Sequence, residues 1–281
     1  MKRVFLTCTL AVAATALATA GRAQEVVKIG IINPYSGQFA DTAAQMDNGI
    51  KLYVKQHGDT VGGKKIELLR RDVGGVAPDV AKRLAQELIV RDHADILTGF
   101  DLTPNALAAG DVSAEAKKFM VVMNAATSII TTKSPYMARV SQTTPQVNYT
   151  LGSWAAKQGI KKIYTMVSDY GPGIDAETWF HNGFKEAGGQ IVGSVRFPVA
   201  NPDFSAFVQR AKDESPDGIY IFVPGGVQPA AVGKALAERG IDASKTRVLG
   251  RDALADDITI RSLGEFAIGL TTATIYHNNH G

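Results

Sequence analysis

The chain is poor in cysteine, with one residue, Cys8, in 281. Cys8 falls inside an uncharged, mostly apolar run over residues 4–20 that follows Met1-Lys2-Arg3. This arrangement has the plan of a secretory signal peptide, and the run is short for a membrane-spanning helix. Ala18-Thr19-Ala20 and Gly21-Arg22-Ala23 both offer cleavage sites. The second is favoured, because Gln24-Glu25 then leads directly into the first strand. Residues 1–23 are therefore assigned to the signal peptide. Cys8 sits too early in the run for a lipoprotein attachment site, so the mature chain is thiol-free and destined for an oxidising compartment.

Net charge is missing too once that segment is set aside. Lys2, Arg3 and Arg22 are three of the 30 basic residues and take no acidic residue with them, which leaves 27 against 27. The basic excess of the whole chain is a targeting device, and a nucleic-acid partner loses its compositional support. Low-complexity tracts and coiled-coil heptads are absent. About 258 residues remain, and apolar content over the chain is 45%. That suffices for two globular domains of ordinary size.

Catalytic motifs are lacking as well. Gly171-Pro172-Gly173-Ile174-Asp175-Ala176 loosely matches a dinucleotide fingerprint after a strand, but Arg196-Phe197-Pro198 stands where the ribose-binding acid belongs. Between Gly225-Gly226 and Gly233-Lys234 the spacing is wrong for a phosphate loop, and Ala235 replaces the required hydroxyl. Ser36 and Ser194 lack the flanking glycines of a nucleophile elbow. His277 and His280 have no evident third metal ligand. No enzyme activity, cofactor or metal is expected.

What is present is an alternation of strands and helices. Ile96-Leu97-Thr98-Gly99-Phe100 is a short apolar run suited to a buried parallel strand. Thr103 is a good N-cap, Pro104 suits the first helical position, and apolar spacing predicts a helix over 105–117. Phe119-Met120-Val121-Val122-Met123 is the next strand, ending in Asn124-Ala125-Ala126-Thr127-Ser128. Because the helix returns the chain, the two strands are parallel. Before this unit the pattern gives strands over 26–32 and 65–69 and helices over 41–57 and 78–91. After an extended segment over 136–140 the alternation starts again. It gives helices over 144–158, 174–187, 204–212 and 228–239, and strands over 163–167, 191–197, 219–223 and 248–249. Two α/β lobes with parallel sheets flanked by helices follow, over 24–140 and 141–270, with 271–281 beginning a further crossing.

Open α/β sheets bind ligands beyond the C-terminal ends of their strands. In the first lobe that edge carries Leu102, Thr103, Ala125, Ala126 and Thr127, which offer backbone N–H groups and neutral hydroxyls to an anion such as a carboxylate. Tyr35 and Ser36 follow the first strand, Tyr170 follows the first strand of the second lobe, and Asp252 follows residues 248–249. All four are expected to face the inter-lobe cleft.

Ile29-Gly30-Ile31-Ile32-Asn33-Pro34-Tyr35-Ser36-Gly37, Gly62-Gly63-Lys64-Lys65-Ile66-Glu67-Leu68, Asn124-Ala125-Ala126-Thr127 and Asp169-Tyr170-Gly171 together resemble the type I periplasmic solute-binding proteins of the branched-chain amino acid transport family. Leu102-Thr103-Pro104-Asn105-Ala106-Leu107 and Lys117-Lys118-Phe119-Met120-Val121-Val122 look most like members that take up aromatic acids. The resemblance implies a bilobed, monomeric periplasmic receptor that closes on a small organic carboxylate, an aromatic acid or a hydrophobic or branched-chain amino acid, and delivers it to the permease subunits of an ABC importer. A ligand-sensing module of a signalling receptor is the alternative. By position, Thr103 and the turn over 125–127 would hold the ligand carboxylate. Tyr35 would line the cleft, Tyr170 would close over it, and Asp252 would stand where amino-acid binders keep an acid for the ammonium group. Arg251 beside Asp252, and Gly225-Gly226-Val227 where an aromatic residue is common, depart from those binders. The resemblance also implies a third crossing between lobes and hence a C-terminal part beyond residue 281.

Overall fold

The structure, a computed structural model, describes residues 25–243 and 245–274. The expected signal peptide, His277 and His280 lie outside the described residues. Strand β1 (Val26–Asn33) forms the middle of the first sheet because its apolar residues meet partners on both sides. It pairs in parallel with β3 (Lys64–Asp72), from Val26 opposite Lys65 to Asn33 opposite Asp72, and with β4 (Ile96–Gly99). β5 (Phe119–Val122) and β6 (Met137–Arg139) extend the sheet in parallel. At the other edge the short β2 (Thr60–Val61) folds back antiparallel on β3, giving the order β2-β3-β1-β4-β5-β6.

Alternation along the strands sends successive side chains to opposite faces. On one face Leu97, Met120 and Val122 bury against α2 (Pro78–Gln86) and α3 (Thr103–Ala116), through Leu84, Ala106 and Ala109, and against Leu88 just beyond α2. On the other, Ile29, Ile31, Leu68, Thr98 and Val121 border an apolar cavity of about 280 Å³ together with Ile50 of α1 (Ala40–His57). The helix expected over 78–91 is α only to Gln86 and continues as a π turn over Glu87–Arg91. Thr103 is the first residue of α3 rather than its N-cap. Leu102 takes the extended cap conformation with no side-chain cap, so the Thr103 hydroxyl is left for another contact.

The second sheet has the order β11-β10-β9-β7-β8, with every pair parallel. Its strands are β7 (Lys162–Ser168), β8 (Gln190–Phe197), β9 (Gly218–Phe222), β10 (Arg247–Arg251) and β11 (Thr271–Ala273). β11 falls where the chain was expected to turn back toward the first lobe, yet it is hydrogen-bonded to β10 as an edge strand. Helices α4 (Thr144–Lys157) and α5 (Gly171–Glu186) cover one face. A reciprocal capping box between Thr143 and Gln146 starts α4. Tyr220 stacks on Phe180 at 3.9 Å between centroids, and its hydroxyl donates to Asn148 inside this layer. The other face packs α6 (Phe204–Asp213) and α7 (Gln228–Glu238) through Phe204, Val208, Val232 and Leu236. A short α8 (Asp257–Leu263), unmarked by periodicity in the sequence, begins at Asp256, whose side chain accepts from the Thr259 N–H. Among the described residues no helix is long and apolar enough to cross a membrane.

Candidate functional site

The C-terminal strand ends of both sheets enclose a cavity of about 220 Å³. Its first-lobe wall is built where β4 and β5 end. Gly99 and Phe100 both take positive φ, 102° and 62°. A Cβ on Gly99 would stand 2.5 Å from the Ile32 carbonyl oxygen, so only glycine fits this approach to β1. The buried Phe100 ring anchors the turn, and Asp101, Leu102 and Thr103 emerge in the cavity wall. Asn124, Ala125 and Ala126 join them from the end of β5, and Asp41, Thr42 and Gln45 from the first turns of α1.

The Thr103 and Thr127 hydroxyls are 2.7 Å apart and buried. Thr127 is further fixed by Arg139, whose guanidinium donates to its carbonyl at 2.8 Å, while the Thr144 N–H donates to the Ala126 carbonyl at 2.8 Å. Among the described residues the N–H groups of Ala126 and Thr127 donate to no protein acceptor. With the unsatisfied first N–H groups of α3 they give this wall a set of neutral donors.

Asp101 is only 7% exposed and accepts a 2.6 Å hydrogen bond from the Asn124 amide. Burial pushes its carboxyl up from 3.8 to about 6, against the Asn124 bond and with help from the negative Asp41. Across the cavity, Tyr170 and Phe222 lie 6.5 Å apart at 46°. Burial of the Tyr170 hydroxyl raises its pKa strongly, Asp101 adds to this and Arg251 opposes it, so both charges are felt at that hydroxyl. Arg251 lies 5.9 Å from the Phe222 ring centroid and 3.3 Å from an Asp252 oxygen. Its Nε is buried with no hydrogen-bond partner, and so is the hydroxyl of Thr144, also in the wall. Among the described residues lining the cavity, Arg251 is the one cation, against Asp41, Asp101, Asp252 and Asp256. No group of His, Cys, Asp and Glu among the described residues is arranged to hold a metal.

Six residues expected at the cleft line it: Leu102, Thr103, Ala125, Ala126, Tyr170 and Asp252. Thr127 stands one layer behind, bonded to Thr103. Tyr35 and Ser36 do not line the cavity, contrary to expectation. The Asp72 carboxylate draws in the N–H groups of Ser36 at 3.3 Å and Gly74 at 2.8 Å, which ties their loop to the end of β3. The Tyr35 hydroxyl is enclosed beside Asn33, Asp47 and Arg70, and burial raises its pKa. Asp101 and Asn124 were not singled out, although both sit at strand ends and the same rule reaches them. Asp41, Thr42 and Gln45 could not be found that way, because which turn of a helix meets the cleft depends on how the lobes meet.

Further hydrogen bonds join the lobes around the cavity. The Ser128 N–H and hydroxyl donate to the two oxygens of Asp175 on α5, at 2.9 and 3.0 Å. The Val227 N–H donates to the Gln38 carbonyl at 3.3 Å. Next to it Gly226 has φ 77°, and a Cβ there would stand 1.9 Å from the same carbonyl oxygen.

Two parallel α/β lobes enclosing one small polar and aromatic cavity at their strand ends define a cleft-binding protein for a small solute. A family model described as periplasmic binding protein matches residues 26–280, and the chain belongs to that family. It is 40% identical over 280 residues to Leu/Ile/Val-binding protein homolog 6 of Brucella melitensis, covering all of this chain and 71% of that protein. A solute binding protein of an ABC transporter from Rhodopseudomonas palustris BisB5, solved with 3,4-dihydroxybenzoic acid, is 48% identical with a TM-score of 0.84. That alignment covers 87% of this chain and 67% of the other. The leucine binding protein LivK of Thermotoga maritima is 26% identical with a TM-score of 0.80, covering 89% of this chain and 70% of its own. These neighbours are type I periplasmic binding proteins, and the fold is the two-lobed α/β one that the resemblance implied. Family and neighbours bind solutes and are not enzymes.

Proposed function

We propose that this protein captures a small aromatic carboxylate between its lobes in the periplasm and delivers it, as a monomer, to the permease of an ABC importer. The observation that carries this reading is the composition of the cavity at the strand ends of the two lobes. A volume of about 220 Å³ is below the ~300 Å³ at which pockets for drug-sized ligands begin, and suits a single ring with short substituents. Tyr170 and Phe222 give that ring apolar faces. Arg251 and the backbone donors near Thr103 and Ala126 answer a carboxylate. Leu102, Ala125 and Asp252 complete the contact, and Thr127 acts by holding Thr103. Asp252, which would serve the ammonium group of an amino acid, stands 3.3 Å from Arg251 and has its charge answered there. The 48% identical neighbour solved with 3,4-dihydroxybenzoic acid supports the same class.

A thermal-shift screen over benzoates and natural amino acids tests the reading. A ligand present at 100 times its dissociation constant stabilises by about 2.7 kcal/mol, a shift of several degrees. Aromatic acids are expected to give it. A response to leucine, isoleucine or valine with none to benzoates would overturn the proposal. Ligand-dependent stimulation of ATP hydrolysis by the reconstituted permease tests delivery.

A further inference from the structure

The cavity proposed to hold an anion is itself rich in acid. Among the described residues lining it, Asp41 and Asp101 stand on the first lobe and Asp252 and Asp256 on the second, with no histidine and with Arg251 as the one cation. Arg251 is 3.3 Å from an Asp252 oxygen, so its charge is already answered. A carboxylate ligand therefore enters a space whose charges are set against it. Any carboxyl there that loses water as the lobes meet becomes harder to keep ionised.

Asp101 is the carboxyl on which this falls. It is almost fully buried in the wall that faces the second lobe. From its own lobe it receives a neutral donor, the Asn124 amide at 2.6 Å, and the repulsion of Asp41 on α1. From the other lobe it faces the Tyr170 hydroxyl, at which its charge is felt. The Ala126 and Thr127 N–H groups, without a protein acceptor among the described residues, belong to the same wall, so an anion held there adds a second like charge. Parting the lobes returns water to this wall and lets Asp101 ionise as an ordinary aspartate does. Resting on the reading of the cleft as an aromatic-acid site, we propose that closure on the ligand takes up one proton from solvent, which converts the Asp101 carboxylate to the neutral acid. Capture is then tighter in mildly acid than in alkaline surroundings. The physical reason is reciprocity: a proton on Asp101 removes the like charge that the anion meets, and the anion favours the proton by the same factor.

Titration calorimetry with benzoate, 4-hydroxybenzoate and 3,4-dihydroxybenzoate, between pH 5.5 and pH 8, tests the linkage on the unaltered chain and on Asp101→Asn. The Asp101 carboxyl keeps its proton up to about 6 in the closed chain, against 3.8 for an ordinary aspartate. Binding at pH 5.5 should therefore take up about three-quarters of a proton, read from the heats in two buffers of different ionisation enthalpy. Affinity should be about fourfold higher at pH 5.5 than at pH 8. In Asp101→Asn the uptake should fall below about a quarter of a proton and the affinity should change by less than about twofold, because an amide does not titrate. A melting curve establishes that the variant is folded. The proton count on the unaltered chain stands as a test independent of it. Binding without proton uptake, or uptake that persists in Asp101→Asn, overturns the linkage and leaves the reading of the cleft intact. Binding of none of the three acids overturns that reading and the linkage with it.

Discussion

Replacing Asp101 with asparagine should stabilise the ligand-free protein at neutral pH and do far less under acid conditions. In the folded chain the Asp101 carboxyl holds its proton up to about 6, against 3.8 for an ordinary aspartate, because burial disfavours the ionised form. Below 3.8 the group is protonated whether the chain is folded or not, and no penalty exists. As the pH rises toward 6 the unfolded chain gives up the proton while the folded chain keeps it. Stability therefore falls through this window and stays reduced above it. A displacement of this size corresponds to about 3 kcal/mol at pH 7.5 and about 1 kcal/mol at pH 4.5. Asparagine keeps an oxygen for the Asn124 amide and carries no charge, so the variant escapes the penalty. Urea denaturation of both proteins at the two pH values measures it. The gain of Asp101→Asn over the parent should grow about threefold from pH 4.5 to 7.5. A gain independent of pH, or a loss at pH 7.5, would refute the claim that Asp101 is buried with too few donors.

Gly226→Ala places a Cβ 1.9 Å from the Gln38 carbonyl at a residue with φ 77°, so the lobes cannot meet there. Affinity for the best aromatic acid should drop tenfold or more, and small-angle scattering should show no compaction on adding it; normal affinity would mean that this contact is dispensable for closure. Asp175→Ala removes two hydrogen bonds from Ser128, worth about 1.5–3 kcal/mol for a charged acceptor, and should speed ligand release in stopped-flow measurements. An unchanged release rate would assign the pair no part in holding the lobes shut. Tyr220→Phe leaves the Asn148 carbonyl oxygen without its buried donor and should cost about 1–3 kcal/mol in denaturant unfolding, with ligand affinity unchanged because the pair lies beneath α4 and α5. An affinity loss larger than the stability loss would show coupling between that layer and the cleft.

The parallel sheets and their helices were legible because each strand is a short apolar run and each helix an apolar stripe, periods that the backbone imposes whatever the neighbours are. Leu102, Thr103, Ala125, Ala126, Tyr170 and Asp252 could be placed at the cleft for a similar reason: they follow strands, and all parallel strands of a sheet end on one edge. Tyr35 obeyed the same rule yet does not line the cavity, since the Asp72 carboxylate 36 residues after Ser36 in the chain captures the loop, a contact that no local pattern announces. Thr103 has an N-cap's chemistry, but its hydroxyl pairs with Thr127 across 24 residues. The pairing of Asp101 with Asn124, the unpartnered Nε–H of Arg251 and the fit of Gly226 against Gln38 belong to the tertiary structure alone. Local sequence fixes where a strand stops, because hydrogen-bonding period and turn chemistry act over a few residues. Which charges are buried, and which are left without partners, depends on two lobes brought together from distant parts of the chain, and desolvation has no counterpart in the linear order of residues.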